Sequence, residues 1–169
     1  MSQVVNAIEL ALPGITDGPD RRNPPSWIDP VERETEIWLG GILLTHIEVT
    51  SEWDDDDSGV GRLIINVFTD AGVIAQGSLK VERETGRGRF TGWKIVRQGT
   101  ITSLEWKDYR RPYGVLSQVT ATFKDLADPV LIPGDIDNSV DANKLTEIFR
   151  SFRDSWIDTG LSESAAASD

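Results

Sequence analysis

The chain reads as a mainly β (α+β) protein: about seven antiparallel strands in a bent sheet or partly open barrel, closed by one C-terminal amphipathic helix. Three observations predict this. Apolar runs of strand length recur between turn residues from Ile42 to Ile132. The connections are short, which suits hairpins in a meander, whereas parallel crossovers need about a dozen residues or more. Near the C-terminus the apolar spacing then changes from a period of two to that of a helix.

In chain order, Val4, Val5, Ile8 and Leu12 stand at helical spacing before Pro13-Gly14, which predicts a short N-terminal helix. From Thr16 to Pro30, Pro19, Pro24, Pro25 and Pro30 oppose helix and ladder alike, so residues 1–30 read as that helix plus an extended arm. Trp27-Ile28 is the apolar point that docks the arm. Residues 31–160 read as a single β-rich domain. Ile37–Leu39 and Ile42–Thr50 form one expected strand, bent or bulged at Gly40-Gly41. Leu63–Thr69 follows, and Asp70-Ala71-Gly72 makes a tight turn. Val73–Glu82 then alternates, with Val73, Ala75, Leu79 and Val81 on a buried face and Gln76, Ser78, Lys80 and Glu82 on a wet one.

Glu84-Thr85-Gly86 turns the chain into Arg89–Arg97, and Gln98-Gly99 turns it into Thr100–Lys107. Arg111-Pro112-Tyr113-Gly114 leads to Val115–Lys124, and Val130-Leu131-Ile132 ends at Pro133-Gly134. The closing helix is expected over 139–157. Asn138 or Ser139 caps it, Asp141 sits in its first turn where the helix dipole favours an acid, and Leu145, Ile148, Phe149, Phe152 and Trp156 form one apolar stripe. Gly160 supplies a stop, and residues 161–169 read as a disordered tail.

Composition narrows the function classes. The length of 169 residues suits one domain with a full core. The sequence has no Cys, which removes disulfides, thiolate catalysis and cysteine metal sites and fits a reducing, cytoplasmic setting. The first residues lack the basic region of a secretory signal, and no stretch approaches the ~20 apolar residues of a membrane span. The net charge of -11 opposes nucleic acid and anionic membranes at long range. That charge is unevenly spread. Lys80, Arg83, Arg87, Arg89, Lys94, Arg97, Lys107, Arg110 and Arg111 stand against Glu82, Glu84, Glu105 and Asp108, so residues 80–111 are basic while the remainder is strongly acidic.

The order of elements, the stripe Leu145, Ile148, Phe149, Phe152 and Trp156, and the approach Val130-Leu131-Ile132-Pro133 resemble the pleckstrin-homology superfamily over residues 36–157. The resemblance implies a bent barrel closed at one end by the C-terminal helix. Members that bind phosphoinositides use basic residues around the loop joining the first two strands. Here that loop is Ser51-Glu52-Trp53-Asp54-Asp55-Asp56-Asp57-Ser58-Gly59, whose charge repels an inositol phosphate, so lipid binding is not expected.

Among candidate chemical groups, Asp54–Asp57 offers oxygen ligands of the kind calcium prefers, but nothing encodes a cage, and a solvated loop is the expectation. Asp135, Asp137, Asn138 and Asp141 depart from the calcium-loop pattern at Val140 and Thr146 and read as turn and helix cap. His46, the only histidine, shares a strand with Glu48; a structural role is expected, with a cleft flanked by the two as the alternative. Gly86-Arg87-Gly88-Arg89-Phe90-Thr91-Gly92 invites a phosphate-binding reading, yet it matches neither nucleotide fingerprint and reads as a hairpin turn. Bases and aromatics mix at Trp93, Lys94, Arg97, Trp106, Lys107, Tyr109, Arg110, Arg111 and Tyr113, and Trp, Tyr and Arg dominate binding hot spots. Strand alternation equally allows Trp93 and Trp106 to be core.

These readings point to a non-catalytic protein-interaction module, a subunit or adaptor of a bacterial assembly, with Trp93, Arg97, Trp106, Tyr109, Arg110, Arg111 and Tyr113 as its surface. It is expected to need no cofactor or metal and to bind a protein partner, without nucleic acid or integral membrane association. Two alternatives stay open: an acidic inhibitor or immunity-type protein that mimics nucleic acid, and a small-ligand barrel with its site between helix and strands.

Overall fold

The structure, a computed structural model, describes residues 2–17, 24–53, 59–112, 114–134 and 142–166. The chain divides into two compact units, Met1–Ile95 and Val96–Asp169. Among the described residues, seven strands lie in two sheets, one of four strands and one of three, each with its strands in chain order.

The first unit begins with α1 (Gln3–Ala11), where the Ser2 hydroxyl accepts from the Val5 N–H at 3.3 Å. Val4, Val5 and Ile8 turn one stripe of it into the core. Glu9 then ties down the following turn. Burial pushes its carboxyl up, but hydrogen bonds from the Gly14 N–H, the Thr16 hydroxyl and the Thr16 N–H outweigh this and hold its pKa below the ordinary value.

The second helix, α2 (Ile28–Leu39), corrects the sequence reading twice: the extended arm stops before Ile28, and Ile37–Leu39 is helical, not a strand. Asp29 and Pro30 both fall in the first turn. There an acid meets the dipole favourably and proline loses no hydrogen bond, so the residue read as a breaker starts the helix. Ile28, Val31 and Thr35 give it a buried stripe. Gly40, at φ 50° and ψ 28°, ends it in the left-handed conformation that glycine adopts without strain, donating its N–H to the Glu36 carbonyl at 3.2 Å. The paired glycines are thus a helix stop and not a strand bend.

The four-stranded sheet comprises β1 (Leu44–Trp53), β2 (Val60–Thr69), β3 (Val73–Glu82) and β4 (Gly88–Arg97). β1 pairs antiparallel with β2, with one register shift between Leu44 and His46, and β2 pairs antiparallel with β3. Leu63, Ile65, Val67, Ala75, Leu79 and Val81 share a core with α1, α2 and Trp27. Trp27 is 1% exposed, and its indole N–H donates to the Gly86 carbonyl at 3.0 Å. The opposite face of β2 and β3 is wet at Lys80 and Glu82, as the sequence suggested, but not at the centre of the sheet. Ile64, Phe68 and Ile74 are buried there, as are Asn66 and Gln76, whose amides meet at 3.0 Å. A sheet buried on both faces reads as a continuous apolar run, which is how β2 reads.

The second unit contains a 3-10 turn (Gln98–Thr100), β5 (Ile101–Arg111), β6 (Gly114–Phe123), β7 (Val130–Ile132) and α3 (Ala142–Ala166). Leu145 and Phe152 of α3 are buried, and Phe152 meets Phe123 of β6 edge to face at 5.9 Å. Further along the expected stripe the cover runs out, and Trp156 is 43% exposed. The helix continues past Gly160, where a stop was expected, to Ala166. An isolated glycine costs a helix only about 1 kcal/mol and does not by itself end one. The expected cap at Asn138, Ser139 and Asp141 lies outside the described residues, as do the Asp135–Asp137 turn, Asp54–Asp57 and Tyr113. No helix among the described residues is long and apolar enough to cross a membrane.

Candidate interaction surface

Of the seven residues predicted as one surface, six are described, and they fall on different elements of the two units. Trp93 belongs to the first unit. It meets Phe90 at 5.3 Å and Trp38 at 6.0 Å and packs against the core. Arg97 is the exposed last residue of β4. Trp106, Tyr109, Arg110 and Arg111 share β5, and it is this strand that brings chemistry together.

β5 and β6 form an antiparallel hairpin in which Trp106 opposes Val119, Asp108 opposes Ser117, Tyr109 opposes Leu116 and Arg110 opposes Val115. β7 pairs only with Val119–Ala121 of β6. Beyond that point the hairpin is a two-stranded ribbon among the described residues, and every residue of β5 from Glu105 to Arg111 is exposed. Side chains that oppose one another point to the same face. One face therefore carries Trp106, Asp108 and Arg110 with Val115 and Ser117, and the other carries Lys107, Tyr109 and Arg111 with Leu116 and Gln118.

Each aromatic on the ribbon is held in place. The Trp106 ring stands edge-on to Phe149 of α3 at 5.5 Å, and its indole N–H donates to Asp108 Oδ1 at 2.8 Å. The same oxygen accepts from the Ser117 hydroxyl at 2.6 Å. The Ser117 bond, then the Trp106 bond, hold the Asp108 carboxyl below its ordinary pKa against a smaller opposing effect of burial. On the other face the Tyr109 hydroxyl donates to Gln118 Oε1 at 3.2 Å, and the Gln118 amide donates to the Pro133 carbonyl at 2.9 Å. Trp106 is nonetheless 39% exposed, Tyr109 36% and Val115 61%.

Asp108, Val115, Ser117 and Gln118 were not anticipated as part of this surface. Their signal lay in the register of the hairpin, which pairs residues far apart in number, and alternation within each strand does not fix that register.

His46 and Glu48 are close, with His46 Nε2 at 2.5 Å from Glu48 Oε1. Glu48 stands opposite Asn66, which stands opposite Gln76, so the three make a polar row across β1, β2 and β3. Asn66 is fully buried, Glu48 and Gln76 nearly so. Glu48, Asn66 and Gln76 are closed off from solvent, whereas the His46 side chain beside Glu48 is 22% exposed. Among the described residues, no group of three histidine or acidic side chains is gathered to hold a metal ion.

No family model, no curated protein and no solved structure matches the chain.

Proposed function

We propose that this protein is a non-catalytic interaction module that docks a protein partner through the β5–β6 ribbon. The observation that supports this is the exposure of Trp106, Tyr109 and Val115 on a hairpin that outruns its sheet. A two-stranded ribbon is at best marginally stable alone, so holding one out with its aromatics hydrogen-bonded has little value to the fold. It has evident value to a partner. Side chains fixed before contact lose little entropy on binding, and Trp, Tyr and Arg are the types that concentrate binding energy. Arg110 and Arg111 at the ribbon's end contrast with the acidic remainder of the chain and favour an acidic rim on the partner. The seven strands and C-terminal helix are compatible with a pleckstrin-homology-like ancestry for the module, in which the ligand surface has moved from the first loop to this hairpin.

The test is affinity capture from the source cells with the wild-type chain and with a Trp106→Ala/Tyr109→Ala variant. A discrete protein retained by the wild type and lost by the variant, at an unchanged far-UV spectrum, is the expected result. Identical capture by both would refute the ribbon as the docking element.

A further inference from the structure

A second site, independent of the ribbon, lies in the first unit. We propose that the cleft lined by the end of β3, the start of β4 and Val60 of β2 binds a small oligophosphate, a di- or triphosphate either free or carried on a nucleoside. The cleft has a volume of about 610 Å³, and its lining includes Lys80, Glu82, Arg87, Gly88, Arg89 and Thr91. That is the size range of small-molecule sites, roughly 300–1,000 Å³.

The charges select the ligand. Lys80, Arg87 and Arg89 bring three cations to a cleft with one carboxylate. None of the three is in an ion pair among the described residues. The Glu82 carboxylate is already engaged, accepting from the Thr85 hydroxyl at 2.7 Å. The Thr91 hydroxyl donates to the Ser78 carbonyl at 3.0 Å. Three cations on two adjacent strands, set against the one Glu82 carboxylate, match an anion with several charged oxygens spread over more than one centre.

The turn that presents two of them is built firmly. The Gly86 N–H donates to the Glu82 carbonyl at 2.9 Å, the Glu82 N–H donates to the Arg87 carbonyl at 2.8 Å, and the Arg87 N–H donates to the Thr85 hydroxyl at 3.2 Å. The Arg83 N–H donates to the Gly59 carbonyl at 2.8 Å, and the buried Trp27 indole holds the Gly86 carbonyl from below. Gly88 lets β4 approach β3: a Cβ there would stand 2.8 Å from the Lys80 carbonyl oxygen and 3.0 Å from the Trp27 ring. The backbone under the cations is therefore set before any ligand arrives.

The rest of the chain limits the ligand's size. At physiological salt, charges act over a Debye length of about 8 Å, so a small anion inside the cleft feels chiefly Lys80, Arg87 and Arg89 together with Glu82. A nucleic acid strand long enough to leave the cleft would meet a protein whose total charge is -11. None of the described residues that line the cleft is in a helix N-terminus, so the binding rests on side chains and weakens with salt.

Titration calorimetry on the full chain with inorganic triphosphate, with ATP and with a single-stranded oligonucleotide tests this. Triphosphate is expected to bind at low salt and more weakly at high salt. Arg87→Gln, Arg89→Gln and Lys80→Gln should each weaken it at least about fivefold; since all three side chains are exposed, the far-UV spectrum should not change. Arg110→Gln/Arg111→Gln on the ribbon should leave the affinity within about twofold. ATP equal to triphosphate identifies the free oligophosphate as the unit recognised, and tighter ATP binding adds a nucleoside. Absence of heat with both at millimolar concentration, equal affinity in the three cleft variants, or tighter binding of the oligonucleotide would overturn the proposal.

Discussion

Replacing Trp27 by Phe and by Ala separates what its hydrogen bond contributes from what its bulk contributes. Trp27 is 1% exposed, and Gly86, whose carbonyl it holds at 3.0 Å, is buried. Trp27→Phe keeps most of the apolar volume but leaves a buried carbonyl without its donor, which costs about 1–3 kcal/mol. Trp27→Ala removes the ring as well and opens a cavity in the core formed with Val31, Leu79 and Ile8, for a loss of about 3–5 kcal/mol. At roughly 2–4 °C per kcal/mol for a chain of this length, the Phe variant should melt about 2–12 °C lower and the Ala variant about 6–20 °C lower. Urea unfolding followed by far-UV circular dichroism is the suitable assay, because tryptophan fluorescence changes with the substitution itself. A Phe variant as stable as wild type would show that the indole N–H is not a desolvated bond. An Ala variant losing under ~1 kcal/mol would refute the placement of Trp27 in the core.

Other expected outcomes follow from single sites. At Gly77 a Cβ would stand 2.8 Å from the Phe90 ring and 2.9 Å from the Trp93 ring, so Gly77→Ala should cost about 1–3 kcal/mol in urea unfolding. Glu9 has a folded pKa below its ordinary value, so its contribution to stability is full above that ordinary value and is lost as pH falls through the lower folded one. Glu9→Gln should flatten this acid limb of a stability-against-pH curve and remove stability at neutral pH. The same sign holds at Asp108, whose lowered pKa keeps the bonds from Ser117 and Trp106 intact on acidification until pH falls below the ordinary carboxylate range. Asp108→Asn should change the Trp106 fluorescence at neutral pH toward that of the acidified wild type.

Much of the β architecture was legible because alternation and turn chemistry are local. The Asp70–Gly72 turn is where the sequence puts it, closed by Thr69, whose hydroxyl donates to the Val73 carbonyl at 3.0 Å. The hairpin at Arg111–Gly114 and the short strand Val130–Ile132 were equally direct. α2 was misread because Ile37-Trp38-Leu39 is a strand-like triplet and Pro30 a nominal breaker. The stripe of Ile28, Val31 and Thr35 is sparse, and the position of Asp29 and Pro30 in a first turn becomes plain only once the helix end at Gly40 is known. Gln76 was read as wet because alternation assumes one solvated face, and this sheet has none in its centre. At the candidate surface, composition singled out a segment, Trp106 to Arg111, that the fold places on one exposed strand, but which side chains share a face depends on a pairing that only the folded hairpin sets. Trp93 shows the limit of composition: the same residue type within the same basic segment packs on the core in one unit and is partly exposed in the other.

The ribbon claim is tested most directly by photo-cross-linking from single positions in the source cells, with the reactive side chain placed at Tyr109 or Val115 and, as controls, at Leu10 or Ile37. The control positions are more exposed than either aromatic on the ribbon, at 82% and 72%, yet lie in the first unit. One adduct of defined mass from both ribbon positions, absent from both controls and abolished by Trp106→Ala, is the predicted result. Adducts of the same mass and yield from Leu10 or Ile37, or none from the ribbon, would contradict it.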